Sequence, residues 1–383
     1  MALTRGKKLL QNTLFSVVVL LFFCLLLEVL ARLFYPGSLA VGDRVELAEA
    51  ANPIQAKERF GRLFKGCVLS YNTLIKDEQG LVLNRPGALG IMLRAAKTNY
   101  VFDRELDQDR LKEIQDRIEA QSTFQINQNG LRGPRVNDEQ RRLLLLGDSI
   151  TFGYYVNDDE VYGARLQHLL GATGHNYQVL NAGVSSYSAA DELRYLEKYG
   201  LKLGPELVGI GFYLNDIFSL SKPLMVKEYN FLFPYRKIPS LGPFSRSRLV
   251  NLVLERLFTL KAFAGLAIDE QRPENISVEN AWQDYRTLLQ KMKDRADQNK
   301  IRLFLVIFPN SLQLSRPQTT SYYQQRLLQI TRELEIPTLD LFDAFQKQGQ
   351  SLYHQSDTIH PNALGHELAA QEIAEFLARK RLL

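Results

Sequence analysis

Cysteine, histidine and net charge are all scarce in this chain of 383 residues, and each scarcity closes off a class of protein. Two cysteines, Cys24 and Cys67, can build neither a disulfide framework nor a cysteine-rich zinc site. Five histidines are present, and none stands with carboxylates at metal-ligand spacing, so no metal and no cofactor are expected. The formal charge of +5 is small for 47 basic and 42 acidic residues. Four bases and one acid fall before residue 37, which leaves 43 against 41, or +2, for the rest. That balance gives no case for nucleic-acid binding. Internal repeats and low-complexity linkers are also missing. The composition, 45% hydrophobic and 23% charged, excludes a disordered or collagen-like chain. The length fits two or three domains, or one large α/β domain with additions.

One long hydrophobic run is present. Leu9 to Leu27 is 19 residues without a charge, about what a helix needs to cross a hydrocarbon core of roughly 30 Å. Arg5, Lys7 and Lys8 precede it, so the positive-inside rule keeps the N-terminus cytoplasmic and exports the rest. The run exceeds an ordinary signal core, and Glu28, Arg32 and Tyr35 separate it from the small residues Ser38-Leu39-Ala40. An uncleaved anchor is therefore expected ahead of a cleaved signal. No lipobox precedes Cys24, where Phe22 and Phe23 stand. Glu28 and Arg32 have the spacing of an i,i+4 pair.

The chain divides into an anchor over 1–36, an extracytoplasmic segment over 37–137 and a domain over 138–383. In the middle segment, Val41 to Phe64 has helical character and Cys67 to Leu83 suggests short strands. Asp103 to Gln121 reads as a surface helix, with Leu106, Leu111, Ile114 and Ile118 near helical spacing. Phe124 to Gly133 alternates and then offers an Asn-Gly turn.

From Arg141 onward, strands and helices alternate. Strands are expected at Leu143–Leu146, Gln178–Asn181, Leu207–Tyr213, Ile301–Phe308 and Thr338–Leu341. Helices are expected at Asp159–Leu170, Ala189–Gly200, Ser321–Leu334 and Ala363–Arg379. This order predicts an α/β fold: a three-layer α/β/α sandwich on a five-stranded, mostly parallel sheet of flavodoxin-like type, with chemistry at the carboxyl ends of strands. An insertion over about 217–299 interrupts it. Its aromatics Tyr229, Phe231, Phe233 and Tyr235 suit a lid or sugar platform, while its apolar helix Leu249–Leu266 reads first as packing on the sheet. The sequon Asn275-Ile276-Ser277 reads as chance.

Four short motifs fall at strand ends or in the last loop. Gly147-Asp148-Ser149 follows the first strand, where a nucleophile belongs and where the Ser149 N–H can face a reacting carbonyl. The same triplet also reads as a polar turn with Ser149 capping a helix. Asn181-Ala182-Gly183 ends the second strand, offering a close backbone approach or a simple turn. Asn215-Asp216 ends the third, as an oxyanion donor with its loop brace or as turn chemistry. In Asp357-Thr358-Ile359-His360-Pro361, proline holds His360 away from helix, and a turn can fold Asp357 onto the imidazole. His168, His175, His354 and His366 lack such a neighbour and read as structural.

With these blocks in this order, residues 140 to 383 resemble the SGNH (GDSL-like) hydrolase family. Phe124–Gly133 and the anchor are similar to its membrane-anchored bacterial members. The resemblance implies Ser149 as nucleophile, His360 as general base and Asp357 as its orienter. It implies an oxyanion hole from the Ser149 N–H, the Gly183 N–H and the Asn215 side chain, with Asp148 and Asp216 in support. Tyr213 departs from the family pattern, which has glycine there; it either narrows the pocket toward a small acyl group or packs the strand end. The expected function is a serine esterase removing acetyl or another short acyl group from an envelope carbohydrate. The alternatives are an O-acyltransferase moving an acyl group onto a glycan, and a non-catalytic glycan-binding or scaffold protein. The expected partners are the membrane, through the N-terminal helix, an acylated carbohydrate or other ester, and envelope polysaccharide machinery. The expected location is a bacterial inner membrane, with the catalytic domain periplasmic.

Overall fold

A computed structural model describes Ser16, Val19 and residues 23–30, 67–68, 73–95, 98–103, 118–218, 249–250, 273–314, 322–354 and 359–383. The chain forms two compact units, one of Met1–Glu46 with Lys227–Ala267 and one of the remainder. In the first, residues 23–30 are helical and Phe23, Leu25 and Val29 are more than half exposed. Glu28 accepts the Leu249 N–H (2.8 Å) at a second helical stretch, 249–250. Arg32, its expected partner, lies outside the described residues, as do Tyr229, Phe231, Phe233, Tyr235, Val41–Phe64 and the rest of Leu249–Leu266. Among the described residues no helix is long and apolar enough to cross a membrane, and most of Leu9–Leu27 lies outside them.

The second unit opens with strands. β1 (Cys67–Val68), β4 (Leu89–Ala95), β5 (Thr98–Asp103) and β6 (Ile118–Gln125) form a sheet of order β1-β5-β4-β6, and β2 (Leu74–Lys76) pairs with β3 (Val82–Asn84). The surface helix expected over Asp103–Gln121 is corrected at both ends. Asp103 closes β5, and Ile118–Gln121 belongs to β6, paired antiparallel with β4; residues 104–117 lie outside the described set. Helical spacing of four apolar residues is a local signal, and pairing with a strand distant in sequence overrides it. After β6 the Asn129-Gly130 turn forms as expected, with Gly130 at φ +76° and Ile126 bridging Arg132.

All five expected strands of the main sheet form: β7 (Arg141–Gly147), β8 (Tyr177–Asn181), β9 (Leu207–Phe212), β10 (Arg302–Ile307) and β11 (Thr338–Asp340). Their order is β11-β10-β9-β7-β8 and every pairing is parallel. Among the described residues of this unit the α-helices are α1 (Ser149–Phe152), α2 (Tyr162–Ala172), α3 (Ala189–Lys198), α4 (Asn215–Phe218), α5 (Pro273–Gln298), α6 (Ser311–Leu314), α7 (Tyr322–Glu333), α8 (Phe342–Gln348) and α9 (Ala363–Arg379).

Alternation along β7 explains the layers. Leu144 and Leu146 enter a core with α3, α5 and α7, through Leu193, Leu196, Trp282, Tyr285 and Leu327. Leu143 and Leu145 enter the opposite core with α2, α8 and α9, through Leu166, Phe345, Ile373 and Phe376. Both faces are covered, so the strands read as unbroken apolar runs. The end of the stretch expected as an insertion is thus α5, whose buried face lies in the first core, and the Asn275 sequon falls within this helix. Leu81, Val82 and Leu131 share that core, so part of the segment before residue 138 is built into the same unit. The strand order reverses at β7, between β8 and β9, and such a switch point opens a crevice at the carboxyl edge.

Candidate active site

The chain leaves β7 through Gly147, at φ +154°, where a Cβ would lie 2.0 Å from Thr151 Oγ1. Only glycine lets the turn into α1 close this tightly. The cap of α1 is Asp148, whose Oδ1 accepts the Ile150 N–H (2.8 Å). Ser149 is therefore spared capping, and its half-buried Oγ lies 2.9 Å from His360 Nε2.

His360 stands two residues before Asn362, and the described residues around it are held by several contacts. Asn362 caps α9 by accepting the Leu364 and Gly365 N–H groups, while its Nδ2 donates to Ser351 O (2.7 Å) and Tyr353 O (3.1 Å). Tyr353 bridges Pro361 and donates its hydroxyl to Pro309 O (2.6 Å). Tyr154 stacks on the imidazole (5.3 Å, 24°) and Tyr155 meets it edge-on (5.6 Å, 89°). The expected orienter, Asp357, lies outside the described residues.

Gly183 differs from the expectation. Its N–H donates to Asn181 Oδ1 (2.9 Å), within its own turn, and is engaged there. Glycine is needed because a Cβ would lie 2.2 Å from Phe152 N, so this position seats the chain after β8 against α1. Three residues on, Ser186 has φ +66°, a conformation costly for a residue with a Cβ. It is third in a turn closed by Tyr187 N–H to Val184 O (3.1 Å), and among the described residues its N–H meets no acceptor. Val184 N–H bonds Gly147 O (3.0 Å), which sets this turn beside Asp148 and Ser149. Nothing local in Ser185-Ser186-Tyr187 signals a left-handed residue, so the sequence reading passed over it.

Asn215 begins α4, directly beyond β9. Asp216 is fully buried and accepts the Tyr213 N–H (3.1 Å), bracing this loop. Tyr213 is 2% exposed and lies in the second core with Leu143 and Ile150, so it packs the strand end. Asp148, Glu192 and Asp216 form a buried acidic set behind the site. Among the described residues neither Glu192 carboxyl oxygen has a hydrogen-bond partner. Burial, then the charges of Asp148 and Asp191, hold the Glu192 carboxyl well above the usual carboxylate range. Burial, then Glu192 and Asp148, does the same to Asp216.

His366 is a buried structural residue: it accepts the Tyr162 N–H at Nδ1 (3.2 Å), and burial pulls its pKa down to about 3. His354, read as structural, stands near the site, its ring edge-on to Tyr155 (5.6 Å). Arg132 was also missed. Its buried guanidinium donates to Phe152 O (2.8 Å), Gly153 O (2.5 Å), Val156 O (2.7 Å) and Asp158 Oδ1 (2.7 Å), clamping the end of α1. Among the described residues no three His, Cys, Asp or Glu are placed to hold a metal ion.

The model of the GDSL-like lipase/acylhydrolase family matches residues 145–368, more than half of the chain. No curated protein matches. Among solved structures, the chain is similar to TesA, with 17% identity over 63% of this chain and 100% of that one, at a TM-score of 0.41. It is similar to the psychrotrophic esterase EstA from a Pseudoalteromonas species, with 16% identity over 63% and 100%, at 0.40. An acetylxylan esterase from Geobacillus stearothermophilus shows 18% identity over 64% and 96%, also at 0.40.

Proposed function

This chain belongs to the GDSL-like lipase/acylhydrolase family and is a serine ester hydrolase, and from that premise we propose that Ser149 and His360 carry the reaction, with a short acyl group on a carbohydrate hydroxyl as substrate. The observation that carries the assignment is the 2.9 Å contact between Ser149 Oγ and His360 Nε2, across 211 residues of sequence.

The imidazole takes the hydroxyl proton as Ser149 Oγ attacks the ester carbonyl, giving a tetrahedral oxyanion. The donors assigned to it are the Ser149 N–H, the Ser186 N–H in place of that of Gly183, and, on the family resemblance alone, the amide of Asn215. A well-placed donor contributes about 3 kcal/mol to such a transition state. The alkoxide then leaves with the proton from His360, and water, activated by the same imidazole, releases the acid from the acyl-serine. Asp357 is assigned the orienter's part by its spacing from His360.

We also propose that the chain sits in a bacterial inner membrane with its catalytic unit on the periplasmic side. The charge-free run Leu9–Leu27 behind Arg5, Lys7 and Lys8 supports this, as do the exposed Phe23, Leu25 and Val29. An extracytoplasmic enzyme meets envelope carbohydrate, which favours that substrate class.

With a chromogenic acetyl ester, Ser149→Ala is expected to lower kcat by about 10⁴-fold or more at unchanged circular dichroism. Equal rates for the two proteins exclude Ser149 as nucleophile.

A further inference from the structure

One ring away from His360, across Tyr155, lies an open pocket of about 410 Å³. Ser122 of β6, Tyr155, Asn157 and Glu160 of the loop after α1, His354, and Leu364 of α9 are among the residues that line it. We propose that this pocket is the subsite for the alcohol part of the ester, and that it accepts a hydroxyl-bearing ring such as a sugar residue. The proposal rests on the hydrolase reading above, because it names the group whose oxygen leaves the tetrahedral intermediate.

Three observations carry it. The first is position. The Tyr155 ring meets both His360 and His354 edge-on at 5.6 Å, so the pocket starts one ring away from the imidazole. The departing alkoxide takes its proton from that imidazole, and the body of the alcohol therefore lies on the histidine's side. The second is strain. Tyr155 is held at φ +65°, a conformation that an aromatic residue seldom adopts. Its N–H is tied to Met92 Sδ (3.2 Å) of β4, so the surrounding structure holds the ring in the pocket wall. The third is an unmet polar group. Ser122 is 5% exposed, and among the described residues its Oγ has no hydrogen-bond partner. A buried hydroxyl in a pocket wall is costly until something bonds it.

The lining chemistry selects the ligand. An aromatic ring and the 63%-exposed Leu364 provide apolar surface, while the serine, asparagine and glutamate groups are spaced among them. Among the described residues Glu160 is the one charged lining residue, which disfavours a phosphate or carboxylate and leaves a neutral polyhydroxyl ring. The wall is made jointly. Thr123 N–H bonds Asn157 Oδ1 (3.0 Å) and Gln125 N–H bonds Asp158 Oδ2 (2.9 Å), fixing β6 to the loop that follows the nucleophile. Without the strands before residue 138 the subsite has no outer wall.

The test compares two esters on the full chain: methyl acetate, whose alcohol is too small to reach the pocket, and a mono-O-acetylated methyl glucoside. Ser122→Val removes the hydroxyl, and Leu364→Trp narrows the mouth from an exposed position that folding does not depend on. In each variant the glucoside-to-methyl-acetate ratio of kcat/KM is expected to fall about tenfold, through KM for the glucoside. An unchanged ratio in Leu364→Trp overturns the subsite, as does wild-type hydrolysis of methyl acetate with none of the acetyl glucoside. Wild-type inactivity on both esters, with no fluorophosphonate labelling of Ser149, instead overturns the hydrolase reading and the subsite with it.

Discussion

Arg132 holds the nucleophile turn from outside the site. Carbonyl groups at the end of a one-turn helix have no helical partners, and α1 ends directly behind Ser149. The guanidinium supplies four bonds there in one rigid fork, between the Phe124 and Phe152 rings at 5.6 and 5.0 Å. An ammonium keeps the charge but not the fork. Arg132→Lys is therefore expected to cost on the order of 3 kcal/mol in stability. The nucleophile turn loosens with it, so kcat for a small ester falls more than KM rises. Urea melts and steady-state kinetics check both; a variant with wild-type kcat shows that the clamp does not position Ser149.

At the scale of elements, α3 shows how the sheet's first core accommodates acid. Its Ser188 cap is reciprocated by Asp191, and its apolar residues Leu193 and Leu196 face the sheet. Glu192 is fully buried beside them, with no hydrogen-bond partner among the described residues. Glu192 and Asp216 bind their protons more tightly in the folded chain than in the unfolded one. Stability is then greatest below the ordinary carboxylate range and falls as pH rises above about 4, where only the unfolded chain gives up those protons. Asp340, which burial raises to about 6, adds loss of the same sign between about 4 and 6. Glu192→Gln removes one such group. Its urea midpoint is expected to match wild type near pH 4 and to exceed it increasingly toward pH 8. A gap that shrinks with rising pH contradicts this account.

The molecule as a whole joins a unit holding the N-terminal helix to a unit holding the site. Placement in the inner membrane predicts that alkaline phosphatase fused after Leu383 is active in cells, and that the fusion stays with the membrane after a carbonate wash. An inactive fusion places the catalytic unit on the cytoplasmic side, and release by carbonate argues against an uncleaved anchor.

The five strands and their parallel order were legible because strands buried on both faces are continuous apolar runs such as Leu143–Leu146. The last helix, Ala363–Arg379, was read to the residue because Asn362 caps it and a proline stands just ahead. Ser149 and His360 were legible from their turns, Gly147-Asp148 on one side and Pro361 on the other. Such features are set within a few residues, so sequence alone determined them. Tertiary structure decided the rest. It made a strand of Ile118–Gln121, it turned the Gly183 N–H onto Asn181, and it put Arg132 under α1 and Ser122 in one pocket wall with His354. In each of these the sequence admits more than one pairing of a donor or an edge. Which partner wins depends on groups that only the folded topology brings into reach.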